Sequence, residues 1–167
     1  MTGPHAAMPP GVVLRDAKPG DEALVAHFVR RLAEYEELTH EAVGTAEDFA
    51  RALFGPLPHA HAAIIEKAGE AVGFALWYYD FSTFRARPGL YLEDIFVEPE
   101  HRGGGIGKAV FRVLAARAIA EGCARMNWQV LDWNAPSIAF YRGLGARPLD
   151  DWTTMRLEGE TLAALAA

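Results

Sequence analysis

Four glycines fall within five positions, Gly103, Gly104, Gly105 and Gly107, at the start of a helical pattern over residues 103–121 and just after an apolar run over 90–97 that reads as a strand. An ordinary turn does not need that many. Glycines placed before a helix let successive backbone N–H groups converge on one spot with no Cβ in the way. The unpaired N–H groups of the first helical turn and the positive end of the helix dipole reinforce an anion there. Arg102 and Lys108 add mobile positive charge, so a diphosphate linker suits the turn. A glycine-rich turn that merely faces solvent is the alternative reading.

The usual nucleotide loops do not fit. A Walker loop requires G-x-x-x-x-G-K-[ST]. Gly107-Lys108 is present, but Arg102 stands at the leading position and Ala109 at the trailing one. The dinucleotide fingerprint G-x-G-x-x-G matches Gly103 and Gly105 and then fails at Lys108.

The rest of the chain alternates strand-like and helix-like segments. Residues 12–16 read as a strand, and a helix starts at Pro19-Gly20-Asp21 with Leu24, Phe28, Leu32 and Tyr35 at helical spacing. Thr45 and Asp48 read as a capping box for a helix ending at Phe54. Strands over 62–67 and 71–79 are joined by Ala68-Gly69-Glu70, and further strand and helix signals fall at 126–131 and 134–143. A closing hairpin is expected from 147–149 and 153–157. The pattern is that of an α/β (α+β) domain with a mixed sheet. At 167 residues it fits one domain over 12–167 behind a flexible, proline-containing leader, 1–11.

Composition narrows the function. A formal net charge of -6 carries no nucleic-acid footprint and suits a cationic small molecule. The longest apolar run, AVGFALWYY at 71–79, is far short of a membrane span, and no targeting segment is visible. The lone Cys123 excludes a disulfide framework and points to a reducing cytoplasm, and it reads as a small buried hydrophobe. His59-x-His61 lacks a third ligand nearby, so no metal is expected.

Two further constellations carry chemistry. Glu93 and Asp94 are adjacent acids inside an otherwise apolar strand, an expensive placement unless it is used. Strict alternation puts Tyr91, Glu93, Ile95 and Val97 on one face and Leu92, Asp94 and Phe96 on the other. A solvated strand edge, or one acid paired with an arginine, is the bland alternative. Asn134, Ser137 and Tyr141 stand three and four residues apart on one helical face, with Asn134 as N-cap. That segment alone is equally well read as a capped helix with a half-buried tyrosine. Glu34-Tyr35-Glu36-Glu37 crowds negative charge at a helix C-terminus, which hints at a cationic ligand or at a solvated end.

Arg102-Gly103-Gly104-Gly105-Ile106-Gly107 matches R-x-x-G-x-G, and the chain resembles the GNAT-type N-acetyltransferases. YLEDIFVEPEHRGGGIG, LDWNAPSIAFYRGLGA and LAEYEELTHEAV are similar to the diamine (spermidine/spermine, thialysine-type) acetyltransferase branch over nearly the whole chain. The resemblance implies a twisted mixed sheet of six to seven strands, splayed at its middle and flanked by about four helices. It implies acetyl-CoA as co-substrate, held by the backbone of Ile95, Phe96 and Val97, by the turn from Arg102 through Lys108, and by Asn134 and Ser137. Glu93 takes the position of the general base acting through water, and Tyr141 that of the acid for the departing thiolate. Tyr35, Glu36, Asp94 and Ser82 fall at acceptor-lining positions. Ser82 replaces an acid carried by polyamine acetyltransferases, which shifts the expected acceptor towards short diamines or amino acids with a side-chain amine. A homodimer is the family expectation. A non-catalytic acyl-CoA-binding module, or a structural domain in which the glycine stretch is only a turn, are the competing classes.

Overall fold

In the computed structural model, which describes residues 8–167, the apolar runs pair into one five-stranded sheet of order β1-β2-β3-β4-β5. The strands are β1 (Val12–Asp16), β2 (His61–Lys67), β3 (Glu70–Ser82), β4 (Arg87–Val97) and β5 (Met126–Asn127). The helices are α1 (Glu22–Tyr35), α2 (Ala46–Phe54), α3 (Ile106–Ala120), α4 (Ala135–Gly143) and α5 (Gly159–Leu165). Residues 1–7 of the expected leader lie outside the described residues. The chain divides after Leu131 into two compact units. The sheet and α1 to α3 belong to the first, and α4 and α5 to the second.

The first three pairings are antiparallel and β4–β5 is parallel, so the sheet is mixed as expected. One face carries Ile64, Phe74, Leu76 and Phe96, packed against Val25 and Phe28 of α1 and Leu53 of α2. The opposite face meets α3, where the Arg117 guanidinium carbon lies 5.0 Å from the centre of the Trp77 ring. Thr45 and Asp48 form the expected capping box. Asp21 stands at the N-cap of α1 but spends its carboxylate on Arg15 of β1, at 2.6 and 3.0 Å, and on the Lys18 N–H. That hydrogen-bonded guanidinium holds the Asp21 carboxyl below its usual range.

Three expectations are corrected. The sheet has five strands among the described residues, fewer than six to seven. The closing hairpin is absent: the Trp152 N–H donates to the Leu149 carbonyl, closing a turn around Asp150-Asp151, and Trp152 and Met155 stay exposed instead of alternating inwards. The strand expected over 126–131 is reduced to Met126–Asn127.

Gly73 fixes the sheet's middle. A Cβ there would press on the Phe96 carbonyl oxygen, a backbone atom held by the ladder, and would crowd the Val97 Cα at 3.0 Å. Gly73→Ala is expected to cost about 2–3 kcal/mol, read as a lower urea midpoint at unchanged slope.

Candidate active site

The acids of β4 owe their placement to one extra residue. Leu76 of β3 pairs with Asp94, yet its neighbour Trp77 pairs with Leu92. Glu93 is therefore a β-bulge with no partner position, and the alternation breaks there. The two-face division expected from strict alternation is corrected accordingly. Asp94 and Phe96 share the α1 face with Leu76 and Phe74, and so does Tyr91 through its partner Tyr78. Leu92 follows Trp77 to the α3 face, where it is buried. The bulge lets Leu92 and Asp94, two residues apart, point to opposite sides.

Asp94 is consequently half-buried on the side of the sheet that α1 covers. Burial, then the charges of Glu93 and Glu36, push its carboxyl up from 3.8 to about 7. Burial also raises Glu36, the C-cap residue of α1. Tyr78 and Tyr91 stack on the same face with ring centres 4.9 Å apart. Both phenols are pushed up chiefly by burial, with the charge of Glu93 adding to it. Three carboxylates and a tyrosine pair thus share one electrostatic environment, a setting that favours a cation with an apolar stem.

One neighbouring acid of α1 is already engaged. Glu34 pairs with Arg31, which also holds Glu98 through two hydrogen bonds of 3.0 and 3.1 Å. The negative cluster at the end of α1 therefore separates into a paired acid, Glu34, a half-buried one, Glu36, and an exposed one, Glu37.

β4 runs from this cluster into a 3-10 turn (Pro99–His101) and then the glycine stretch. Gly103 and Gly105 have φ of 84° and 78°, the left-handed region that disfavours any other residue. Gly105 is the N-cap of α3 and offers no side chain to its orphan N–H groups. Gly104 has neither excuse: its φ is not positive and a Cβ would meet nothing within 4 Å. Open space over an exposed glycine at an uncapped helix start fits the close approach of an anion's oxygens. Alongside, β4 and β5 pair only at Leu90–Met126 and Tyr91–Asn127, so the β4 edge from Leu92 to Val97 has no ladder on that side. This is the splay expected of the sheet, and it leaves Ile95, Phe96 and Val97 beside the gap.

Arg102 is not the mobile cation expected. Its Nε donates to the Val97 carbonyl at 2.7 Å, and its guanidinium lies over the rings of Tyr35 and Phe96. Lys108 is exposed on the first turn of α3.

In the second unit, Asn134 caps α4 as expected: its side-chain oxygen accepts the Ser137 N–H at 3.3 Å, with Pro136 in the first turn. Asn134 is buried, Ser137 and Tyr141 are half-buried, and Tyr141 contacts the Phe140 ring.

Ser82 is not brought to the carboxylates. It is buried at the far end of β3, paired with Arg87, six positions beyond Leu76, or roughly 20 Å along the strand. On the same strand, Asp80 accepts a hydrogen bond from Arg125 through Oδ2 at 3.0 Å. The parts that Tyr78, Tyr91, Arg31 and Glu98 play around the acids are not visible in the sequence. The bulge that gathers the first two has no residue signature, and an arginine's partner 67 positions away is not visible in a linear pattern. No group of three or more His, Cys, Asp or Glu that could hold a metal exists among the described residues, nor a helix long and apolar enough to cross a membrane.

An uncapped glycine turn, a split parallel pair and a bulged acidic strand occur together in the first unit, and residues 27–146 match the Acetyltransferase (GNAT) family. The chain belongs to the GNAT acetyltransferase family and is an N-acetyltransferase. It is 38% identical over 166 residues to a thialysine N-epsilon-acetyltransferase of Bos taurus, covering 93% of this chain and 97% of that one. An L-ornithine N5-acetyltransferase of Arabidopsis thaliana is 28% identical, with 91% and 86% covered. Among solved structures, an integron cassette protein from the mobile metagenome of V. cholerae superposes with a TM-score of 0.77 at 25% identity, covering 93% of this chain and 98% of that one.

Proposed function

We propose that the protein moves an acetyl group from acetyl-CoA to the side-chain amine of a small cationic acceptor by direct attack, with no acyl-enzyme. Amino acids of the thialysine, lysine or ornithine kind, and short diamines, are the acceptor class. The observation that carries this reading is the bulge at Glu93, which sets Asp94 within the field of Glu36 on the α1 side of a strand that is unpaired towards β5 from Leu92 on and leads into the glycine turn.

The residues present fit the coenzyme. The turn Gly103-Gly104-Gly105 is exposed, and a Cβ built at any of the three meets nothing within 4 Å. The backbone N–H groups of 103–108 and the Lys108 ammonium would hold the diphosphate, and Ile95, Phe96 and Val97 would meet the pantetheine amides. The bound coenzyme supplies an acetyl group activated as a thioester.

The chain's own residues do the rest. Asp94 and Glu36 attract the ammonium, whose pKa near ~10 leaves it without a free lone pair at neutral pH. Glu93 takes the proton, through water, as the amine is drawn in. A β4 N–H by the bulge steadies the developing oxyanion. By its match to the family motif, Tyr141 gives the leaving sulfur a proton. Ser82 and the arginine-bound Asp80 offer no distal carboxylate for a long polyamine. The names of the relatives above agree with an amino-acid acceptor.

A spectrophotometric screen of CoA release across thialysine, lysine, ornithine, short diamines and spermine tests this. Acetyl-CoA at about 100 times its Kd is expected to add about 2.7 kcal/mol of stability, seen as a rise in Tm. Turnover is expected to be at least about tenfold better with the amino acids than with spermine, in keeping with a lost buried charge contact. A Tm rise without release from any amine would leave a coenzyme-binding module. No Tm rise would reduce the glycine stretch to a turn.

A further inference from the structure

Arg102 begins the glycine turn, yet its side chain turns away from it. Its Nε donates to the Val97 carbonyl at 2.7 Å, which fixes the guanidinium at the end of β4. From there the guanidinium carbon sits 4.9 Å from the centre of the Tyr35 ring and 5.3 Å from that of Phe96. Tyr35 is the last residue of α1, and Glu36 is its C-cap, with its N–H on the Leu32 and Glu34 carbonyls. Arg31 and Glu98 join the same two elements a turn earlier on α1, and the Glu98 N–H is itself held by the Val72 carbonyl at 2.9 Å. The end of α1 is therefore anchored to the strand through two arginines, one of which belongs to the anion-binding turn.

We infer that Arg102 is a positioning residue for the acceptor: it ties the turn that holds the coenzyme to Tyr35, and through Tyr35 sets Glu36 against the incoming amine. The inference rests on the proposed function. A guanidinium suits this role because it donates in its own plane while its flat face lies on a ring. Lysine has one compact charge and does both poorly.

The test is a double-variant cycle in the full chain, with thialysine as amine and acetyl-CoA binding measured separately. Arg102→Ala and Tyr35→Ala are each expected to raise the thialysine KM about fivefold, the scale of a cation–π contact. The double variant is expected to be no worse than the weaker single one, because the contact is shared. The Kd for acetyl-CoA is expected to stay within about twofold throughout. Tyr35→Phe, which keeps the ring, restores the KM, and Arg102→Lys does not. Losses that multiply in the double variant would overturn the tie. So would an Arg102→Ala enzyme that binds acetyl-CoA poorly while keeping its thialysine KM, since Arg102 would then be a diphosphate ligand. Absence of thialysine turnover in the unaltered enzyme overturns the acceptor reading itself, and with it the role built on it.

Discussion

Tyr141→Phe is expected to lower kcat by about 100-fold or more while leaving the Kd for acetyl-CoA within about twofold. The substitution removes a single oxygen. The ring stays, and so does its contact with Phe140. The cap of α4 is made by Asn134 and Ser137 and is untouched. A departing thiolate without a nearby acid must leave as an anion, and the barrier rises in that step alone. Coenzyme binding precedes that step and does not use the proton. Stopped-flow turnover with a parallel calorimetric Kd separates the two. Unchanged kcat would remove Tyr141 as the acid, and equal losses in both would mean that α4 had shifted.

Asp94→Asn is expected to have opposite effects on function and stability. Losing a desolvated carboxylate from the amine site should cost about 100-fold in kcat/KM for the amine, with acetyl-CoA affinity kept. Stability should rise. The folded protein holds the Asp94 proton up to about pH 7, whereas the unfolded chain releases it near 3.8. Between those values the native state carries the extra proton, so stability falls as pH climbs. Above the folded value the penalty is fully developed, and below the unfolded one it is absent. Asparagine removes it, so the gain is complete at pH 8 and fades towards pH 4. Allowing for partial exposure to solvent, the gain is about 2 kcal/mol, or roughly 5 °C in Tm for a chain of this length. A Tm gain of equal size at pH 4 and pH 8 would show that Asp94 is not under strain as an anion.

Those two expectations rest on features of unequal visibility. The α4 constellation was legible because its spacing is local: Asn134, Ser137 and Tyr141 are set by one helix and its cap. The glycine turn was legible for the same reason, since left-handed φ at Gly103 and Gly105 leaves its mark directly in the residue type. The capping box at Thr45 and Asp48 was equally plain. What escaped was non-local. Alternation assigned Glu93 and Asp94 to faces by counting, and the bulge broke the count without any glycine or proline to announce it. In the sequence Arg102 looks like a free cation, because its partners, Val97, Tyr35 and Phe96, are chosen by tertiary packing. The closing hairpin over 147–157 had β-like residues but no ladder, and propensity without pairing does not make a strand.

The unpaired position at Glu93 is a spare link in β4. Replacing the glutamate leaves the chain length unchanged, so Leu92 and Asp94 keep their partners on opposite sides. Removing the residue outright makes Leu92 and Asp94 neighbours, and ordinary alternation then sends them to opposite sides as well, against the same Trp77 and Leu76. Shortening the strand there takes away the carboxylate and the local bend together, and leaves both flanks in register. The sides on which the flanks lie are thus written in the ladder itself, and the spare link adds only a kink and a charge.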